Sequence, residues 1–197
     1  MAVPSVKGAM LLPSVVMVRH ARDQGKIPQA ELSRLGAETL GLLDKKINLA
    51  QWYPMGHFTE LLDLDWTLFG DRAPEYMRRS GEQSATAMAR HERYQQLEYI
   101  KRVDRPKSTA QLISQVRLTS SITLSYYNFM EVMVRVHPER QNVLQIIYSN
   151  TDPFPEALRY STEGFMNELN RVRGSERKWS SERVVNTIVF SLEMKQR

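Results

Sequence analysis

The chain has 197 residues, of which 42% are apolar and 25% are charged, a balance typical of an ordinary globular protein with a core of its own. It contains no cysteine, which excludes disulfides, thiolate nucleophiles, iron–sulfur clusters and cysteine-bound zinc. Lysine and arginine outnumber aspartate and glutamate by 27 to 22, a net charge of +5, and no apolar run reaches the roughly 18 residues of a membrane span. We therefore expect one cytoplasmic domain over 1–197, with a helical half at 1–125 and a sheet-containing half at 126–197.

In the helical half, the first 30 residues show no clear pattern, and the residues that follow repeat apolar side chains at helical intervals. Three prolines and two glycines over 1–30 predict extended chain, one short helix and a loop. Leucines at helical intervals predict a helix over 30–47, and a second such pattern predicts a helix over 57–69. Between them, the tripeptide Trp-Tyr-Pro at Trp52–Pro54 predicts a turn that buries two large aromatics, since proline fixes the direction in which the chain leaves it.

A long helix is predicted over 73–103, with a proline suited to its first turn. Its apolar residues are too few for a fully buried helix and too many, in two stripes, for a fully solvated one. Burial shared at a symmetric contact between two copies would reconcile these observations. We therefore expect a homodimer, with Met88, Tyr94 and Leu97 near the contact.

The pattern changes from helical to alternating after Tyr126-Tyr127. Before that point, Ser108 is a good N-cap for a helix that ends near residue 125. The elements predicted next are two strands, one helix and two strands, at 129–137, 142–149, 156–172, 179–184 and 186–194. The predicted fold class is therefore α+β, with an N-terminal helical half packed on a small antiparallel sheet of strand–strand–helix–strand–strand order at the C-terminal end.

The sequence contains histidines and other residues that can act in catalysis, but they do not form any of the common catalytic or nucleotide-binding motifs. The histidines form no His-x-x-x-His or His-Glu-x-x-His pair; they are His20, His57, His91 and His137. The sequence also lacks Gly-x-Ser-x-Gly, Gly-x-Gly-x-x-Gly and a P-loop, which disfavours serine hydrolase and nucleotide-dependent chemistry. We therefore predict a protein that is not an enzyme, with no catalytic residue, no metal site and no cofactor, and we expect His57 to make a local hydrogen bond.

Aromatic residues gather where the helical half should meet the sheet. Eight of them are candidates for the wall of an apolar pocket, and an ordinary core is the alternative interpretation. These eight are Trp52, Tyr53, Phe58, Trp66, Phe69, Tyr126, Tyr127 and Phe129. Together with ten methionines, which suit adaptable binding surfaces, they favour a regulatory or sensory module that binds a small apolar ligand, a protein partner, or both.

Basic segments support a different function. Arginine dominates the segments 72–79, 90–105 and 171–183, although each also contains acidic residues. Such segments suggest an anionic partner, and arginine interleaves with aromatic residues in two of them. A basic nucleic-acid- or nucleotide-binding protein is therefore the alternative prediction.

Three short motifs carry a family resemblance that spans about residues 5–194. The motifs are Lys7-Gly8, Trp52-Tyr53-Pro54 and Tyr126-Tyr127-x-Phe129. They resemble those of a family of uncharacterised proteins of about this length, expanded as paralogues in myxobacteria. That family is similar to the fold shared by haem–nitric-oxide-binding domains, vinyl-reductase-type ligand domains and TRAPP subunits. The resemblance implies a helical half over a small sheet, a small-molecule cavity and dimers, and it implies no known activity.

The resemblance does not extend to the residues that hold haem. Haem-binding members of that fold carry a Tyr-x-Ser-x-Arg element and a proximal histidine. This sequence has no such element, since Tyr148-Ser149 and Tyr160-Ser161 have the wrong spacing, and His91 stands among charged residues. We therefore expect no haem.

Overall fold

A computed structural model describes residues 3–90 and 108–194, and it confirms the predicted α+β fold. The described part of the helical half contains β1 (Ser5–Lys7), α1 (Gly8–Asp23), α2 (Gln29–Leu32), α3 (Ala37–Leu42), β2 (Trp52–Pro54), α4 (Met55–Leu68), α5 (Pro74–Arg90) and α6 (Thr109–Leu124). The described part of the sheet-containing half contains β3 (Glu131–Val136), β4 (Val143–Ser149), α7 (Glu156–Val172), β5 (Trp179–Val184) and β6 (Thr187–Glu193).

The main sheet has four antiparallel strands in the spatial order β3–β4–β6–β5. Two hairpins, β3–β4 and β5–β6, meet along β4 and β6, where Ile146 lies opposite Phe190. Because side chains alternate along a strand, Val134 of β3 points to the same face as these two residues, and all three are buried. This inner face is the apolar floor on which the helices pack.

The first helix is longer than predicted. α1 spans 16 residues from Gly8 to Asp23, although Pro13 lies inside it. A proline inside a helix removes one backbone hydrogen bond, but burial of the stripe Leu11, Val15 and Val18 stabilises the helix through its packing.

The single helix predicted over 30–47 is two shorter helices, α2 and α3. Gly36 separates them with an extended ψ of 149°, and a helix cannot continue through an extended residue. The N–H of Gly36 donates instead to the carboxylate of Glu60 on α4, at 2.8 Å.

The Trp-Tyr-Pro tripeptide forms a strand, and the prediction of a turn with two buried aromatics is wrong for Trp52. β2 pairs with β1 in antiparallel register, with Lys7 opposite Trp52 and Val6 opposite Tyr53. Neighbouring residues of a strand point to opposite faces, so Tyr53 is 8% exposed whereas Trp52 is 43% exposed.

The described part of the predicted long helix is α5, which passes Gly81 without a break. Met88 lies in the last turns of α5, whereas Tyr94 and Leu97 lie outside the described residues. α5 packs closely against α7, and α7 in turn packs on β5. These contacts connect the helical half to one edge of the sheet.

Candidate functional site at the joints between helices and sheet

Two joints hold the helical half against the sheet-containing half. The N-terminal joint consists of β1, β2 and residues 126–129, and the helix joint consists of α5, α7 and β5. The three motifs of the family resemblance meet at the N-terminal joint.

A short ladder of backbone contacts forms the N-terminal joint. Val6 lies opposite Tyr53 on one side and forms a bridge with Tyr127 on the other. The N–H of Lys7 donates to the carbonyl of Tyr126 at 2.9 Å. β1 therefore joins the start of the chain to the segment that enters the sheet.

Aromatic rings continue inward from this ladder as a chain of contacts. The ring of Tyr127 lies 5.9 Å from that of Phe129 and 5.7 Å from that of Phe154, centroid to centroid. Tyr148 lies 6.1 Å from Phe154 and 5.1 Å from Phe190. Burial raises the pKa of Tyr148 to about 12 and raises the pKa of Tyr127 as well, so both phenols are neutral at physiological pH.

The structure places the eight pocket candidates in three groups. The buried group is Tyr53, Phe58 and Tyr127. The group that is partly buried against the core is Trp66, Tyr126 and Phe129. Trp52 and Phe69 lie outside the core, 43% and 40% exposed. The eight candidates therefore do not form one continuous wall.

Sequence reasoning missed three members of the ring chain, Tyr148, Phe154 and Phe190. Tyr148 and Phe190 stand at inward positions of β4 and β6, so the alternation of their strands was the available signal. Phe154 lies in the connection before α7, where no periodic pattern applies.

The helix joint is formed by two helices that touch backbone to backbone. A methyl group on Gly81 of α5 would lie 1.8 Å from the carbonyl oxygen of Ser161, and one on Gly164 of α7 would lie 2.0 Å from that of Arg78. Both distances are far inside van der Waals contact. The two glycines therefore set how closely α5 and α7 approach.

A buried polar network extends from this crossing to β5. Glu163 of α7 is 6% exposed and accepts from the Arg78 guanidinium at 2.6 Å and from the Ser181 hydroxyl at 2.5 Å. Arg159 donates to the same hydroxyl and to the carbonyl of Ser181, each at 2.8 Å. The polar side chains of α5, α7 and β5 thus provide hydrogen-bond partners for one another.

A second carboxylate, Glu156, ties the start of α7 to β5. It accepts from Arg159 at 2.8 Å and from Arg183. Burial opposes its ionisation, but these two guanidiniums outweigh burial and hold the pKa of Glu156 below its usual value. Arg183 also donates to the carbonyls of Thr151 and Phe154, so the helix joint is connected to the ring chain through Phe154.

α7 also covers the free edge of β5. The side-chain oxygen of Asn167 accepts from the N–H of Trp179 at 2.6 Å, and its amide donates to the Trp179 carbonyl at 3.2 Å. An edge strand leaves such backbone groups without a partner strand, and here a helix side chain takes its place.

Tyr160 of α7 lies between two arginines on the outer side of the helix joint. The guanidinium of Arg159 is 4.1 Å and that of Arg78 is 5.0 Å from the ring centroid. The Trp66 ring lies 5.9 Å away, and its Nε1 donates to the carbonyl of Ala73 at 2.9 Å. The pocket candidate Trp66 therefore belongs to the contact between α4 and α7.

A buried acid lies at the contact between α4 and α5. Asp65 is 2% exposed and accepts from the Tyr76 hydroxyl at 2.7 Å. Burial raises the pKa of Asp65, and the hydrogen bond from Tyr76 only partly offsets this. Burial and the neighbouring carboxyl also raise the pKa of Tyr76.

A cavity of about 760 Å³ lies on the opposite, outer face of the sheet. Val143 and Val189 contribute apolar surface to it, and Arg140, Arg177 and Glu182 are among its charged lining residues. None of the eight aromatic candidates lines this cavity. It is therefore separate from the rings of the N-terminal joint.

Each described histidine has a hydrogen-bond partner. His57 Nδ1 lies 2.8 Å from the hydroxyl of Thr39 on α3, so the hydrogen bond predicted to be local in the chain joins two helices, and His20 Nε2 lies 2.8 Å from the Gln24 amide. Nδ1 of His137 accepts from two backbone N–H groups of the next turn at 3.1 Å. The fourth histidine lies outside the described residues. Within 3–90 and 108–194, no group of three or more histidine, aspartate or glutamate side chains could hold a metal ion.

Comparison with known proteins identifies the fold. No family model matches the chain, and no curated protein matches it. Among solved structures, the Fe(II) unliganded H-NOX protein from K. algicida has a TM-score of 0.63 at 13% sequence identity, covering 97% of this chain and 97% of that chain. The S. oneidensis H-NOX protein in the Fe(II)NO ligation state has a TM-score of 0.58 at 11% identity, covering 96% of this chain and 99% of that chain.

A third solved structure, also of an H-NOX protein, matches the chain over nearly its whole length. A point mutant of the T. tengcongensis H-NOX protein has a TM-score of 0.56 at 12% identity, covering 96% of this chain and 98% of that chain. The chain therefore has an H-NOX-like fold over nearly its whole length, which confirms the predicted similarity to the haem–nitric-oxide-binding fold. In the described part of the chain, none of the helices combines the length and the apolarity that crossing a bilayer requires.

Proposed function

We propose that this protein is a sensory or regulatory module, not an enzyme, that binds a small apolar ligand at the N-terminal joint. The single observation that carries the proposal is the connection between the two joints through Phe154. Its ring contacts Tyr127, and its carbonyl accepts from Arg183. A change at the rings is thereby linked to a change at α7.

The ligand would meet the accessible sides of Tyr126 and Phe129. Both are partly buried beside Tyr127, which is buried. Aromatic walls with a few polar atoms are typical of small-molecule sites. The fold supports this proposal, since one of the similar H-NOX proteins is described in an Fe(II)NO ligation state.

The effect of ligand binding at the rings would reach the helix joint through α7. A ligand that moves Phe154 moves the carbonyl bound by Arg183, and Arg183 also binds Glu156 at the start of α7. α7 contacts α5 at Gly81, and α5 leads to Met88, which we expect near a homodimer contact. A small shift at the rings would thus favour one arrangement of the helices over another.

Native mass spectrometry of the purified protein tests ligand binding directly. We expect an excess mass that is lost on collisional activation, together with an apolar compound in the solvent extract. Phe129→Ala should reduce the bound fraction by tenfold or more, because it removes one aromatic wall. Phe69→Ala, at a ring 40% exposed outside the core, is the matched control and should retain the compound. Equal loss in both variants, or no compound in any preparation, would contradict the proposal.

The nucleic-acid alternative has less support from the described residues. Much of the arginine charge of segments 72–79 and 171–183 is engaged inside the protein, since Arg78 pairs with Glu163 and Arg183 with Glu156. We expect random-sequence DNA to bind no tighter than about 10⁻⁴–10⁻⁶ M at physiological salt. Submicromolar affinity with a steep salt dependence would favour the alternative.

Membership of the myxobacterial paralogous family is also proposed here. Its support is that the motifs carrying the resemblance are structural parts of one joint: Gly8 begins α1, Tyr53 pairs with Val6, and Tyr127 forms the bridge. Cytoplasmic location belongs to the same proposal.

A further inference from the structure

The loop between α3 and β2 presents large apolar side chains to solvent. Ile47 is buried, but residues 48–52 are all exposed. Among them, Leu49 is 53% exposed and Trp52 is 43% exposed. Exposed apolar groups placed together indicate an interaction surface.

The backbone of this loop is fixed against the start of α1. The N–H of Gly8 donates to the carbonyl of Gln51 at 2.9 Å, and the N–H of Ala9 donates to that of Leu49 at 3.0 Å. The Tyr53 hydroxyl accepts from the N–H of Asn48 at 3.0 Å. These bonds satisfy the open end of α1 while they hold the loop in place.

Gly8 permits this contact because it has no side chain. A methyl group there would lie 2.1 Å from the carbonyl oxygen of Asn48. The loop is therefore seated directly on the helix backbone, and Leu49 and Trp52 project from a rigid base. A rigid base reduces the conformational entropy that is lost on binding.

One cation lies against the exposed tryptophan, and two more stand in the same loop. The Lys7 ammonium lies 5.3 Å from the centroid of the Trp52 ring, and Lys45 and Lys46 are exposed a few residues before Leu49. Among the residues that the structure describes, none of these lysines forms an ion pair, whereas the nearby acid Asp44 is paired with Arg22. The exposed segment therefore combines lysines that have no carboxylate partner with two apolar side chains.

We infer that this loop docks the protein on the surface of an anionic lipid bilayer. Tryptophan and leucine enter the interface between headgroups and acyl chains, while lysines remain at the level of the phosphates. A stable protein partner would require an interface of about 1,000 Å² or more, and two exposed apolar side chains provide only a small part of that. A bilayer instead accepts a small projecting surface and adds attraction from anionic headgroups.

Vesicle flotation tests this inference. Full-length protein is mixed at low ionic strength with vesicles of phosphatidylcholine alone, or of phosphatidylcholine with an equal amount of phosphatidylglycerol. We expect flotation with the anionic vesicles only. Leu49→Ser with Trp52→Ser should lower the partition coefficient by about tenfold or more. Lys45→Gln and Lys46→Gln should each lower it by about fivefold.

Val185→Ser is the matched control, because Val185 is 87% exposed in the β5–β6 turn, away from the loop. It should leave the partition coefficient unchanged. Tryptophan fluorescence provides a second measurement that does not depend on the double variant: anionic vesicles should shift the emission to the blue, and Trp52→Phe should abolish the shift.

Three outcomes would overturn the inference. Wild-type protein that stays unbound with anionic vesicles excludes membrane docking. Flotation that depends on the lysines but not on Leu49 or Trp52 shows charge attraction without insertion. Self-association that the Leu49→Ser, Trp52→Ser variant loses, in the absence of vesicle binding, assigns the surface to a second copy of the chain.

Discussion

The two joints connect the same halves of the molecule by opposite chemistry. At the N-terminal joint, Val6 and Tyr127 share a backbone bridge and an apolar core. At the helix joint, Gly81 and Glu163 provide close backbone contact and buried ion pairs. Backbone hydrogen bonds occur at both joints, but the side chains of the first are mainly aromatic and aliphatic, whereas those of the second form charged hydrogen bonds. We therefore propose ligand uptake at the first joint and switching at the second.

We expect the largest loss of stability on the buried face of β2 and a much smaller one on its exposed face. Tyr53→Ala should cost about 3–5 kcal/mol, as for other buried aromatics, because it removes a ring from the core of the N-terminal joint. Trp52→Ala should cost about 1 kcal/mol, since that ring is largely solvated. Urea denaturation measures both free energies of unfolding. Equal costs would show that the exposed and buried faces of β2 are not energetically different.

At the helix joint, Gly81→Ala should destabilise the protein by about 3 kcal/mol, because the new methyl group must push apart two helix backbones. Gly164→Ala should act in the same direction. A methyl group on Gly56 of α4 would meet no atom within 4 Å, so Gly56→Ala is the control and should be neutral or slightly stabilising. A wild-type free energy of unfolding in Gly81→Ala would contradict the close crossing of α5 and α7.

Acid should affect the partly exposed Glu156 and the buried Asp65 in opposite directions. The pKa of Glu156 is lowered in the folded protein, so its contribution to stability is present above the unfolded value of about 4.3 and is lost as the pH falls. Glu156→Gln should therefore cost about 1 kcal/mol near neutral pH, after allowance for solvent screening, and less in acid. Denaturation at several pH values measures this difference, and a cost that stays constant with pH would contradict the assignment.

Asp65 provides the contrasting case. Its pKa is raised, so the folded state binds more protons than the unfolded state as the pH rises above about 3.9, and ionisation then reduces stability. Asp65→Asn should remove this downward slope of unfolding free energy against pH. An unchanged slope in the variant would show that Asp65 is not the group responsible.

We expect the smallest effect from added haem, because the sequence lacks the Tyr-x-Ser-x-Arg element that holds haem in members of the similar fold. After haem reconstitution, the purified protein should show no Soret band. A stoichiometric band that His91→Ala abolishes would contradict this expectation.

The sequence predicted the sheet better than the helix joint, for a physical reason. Alternation predicted the strand at 186–194, which the structure shows as β6 (Thr187–Glu193), because a period of two is preserved whatever the strand pairs with. The helix joint depends on Gly81 and Glu163, residue types that in a sequence indicate a weakened helix and a solvated face. Only their position opposite another helix gives them a structural role, and no local pattern contains that information.

The same limit applied to Trp52 and Tyr53. Two adjacent aromatics were interpreted together as one buried anchor, but the pairing of β2 with β1 separates them. That pairing joins residues far apart in the chain, so the exposure of Trp52 could not be identified from its sequence neighbours alone.

The amide of Asn167 has a consequence for solubility. By occupying both backbone groups of Trp179, it protects the start of edge strand β5 from pairing with a strand of another molecule. A displacement of α7 that breaks both bonds would expose those groups. We therefore expect the solubility of the protein to depend on the position of α7.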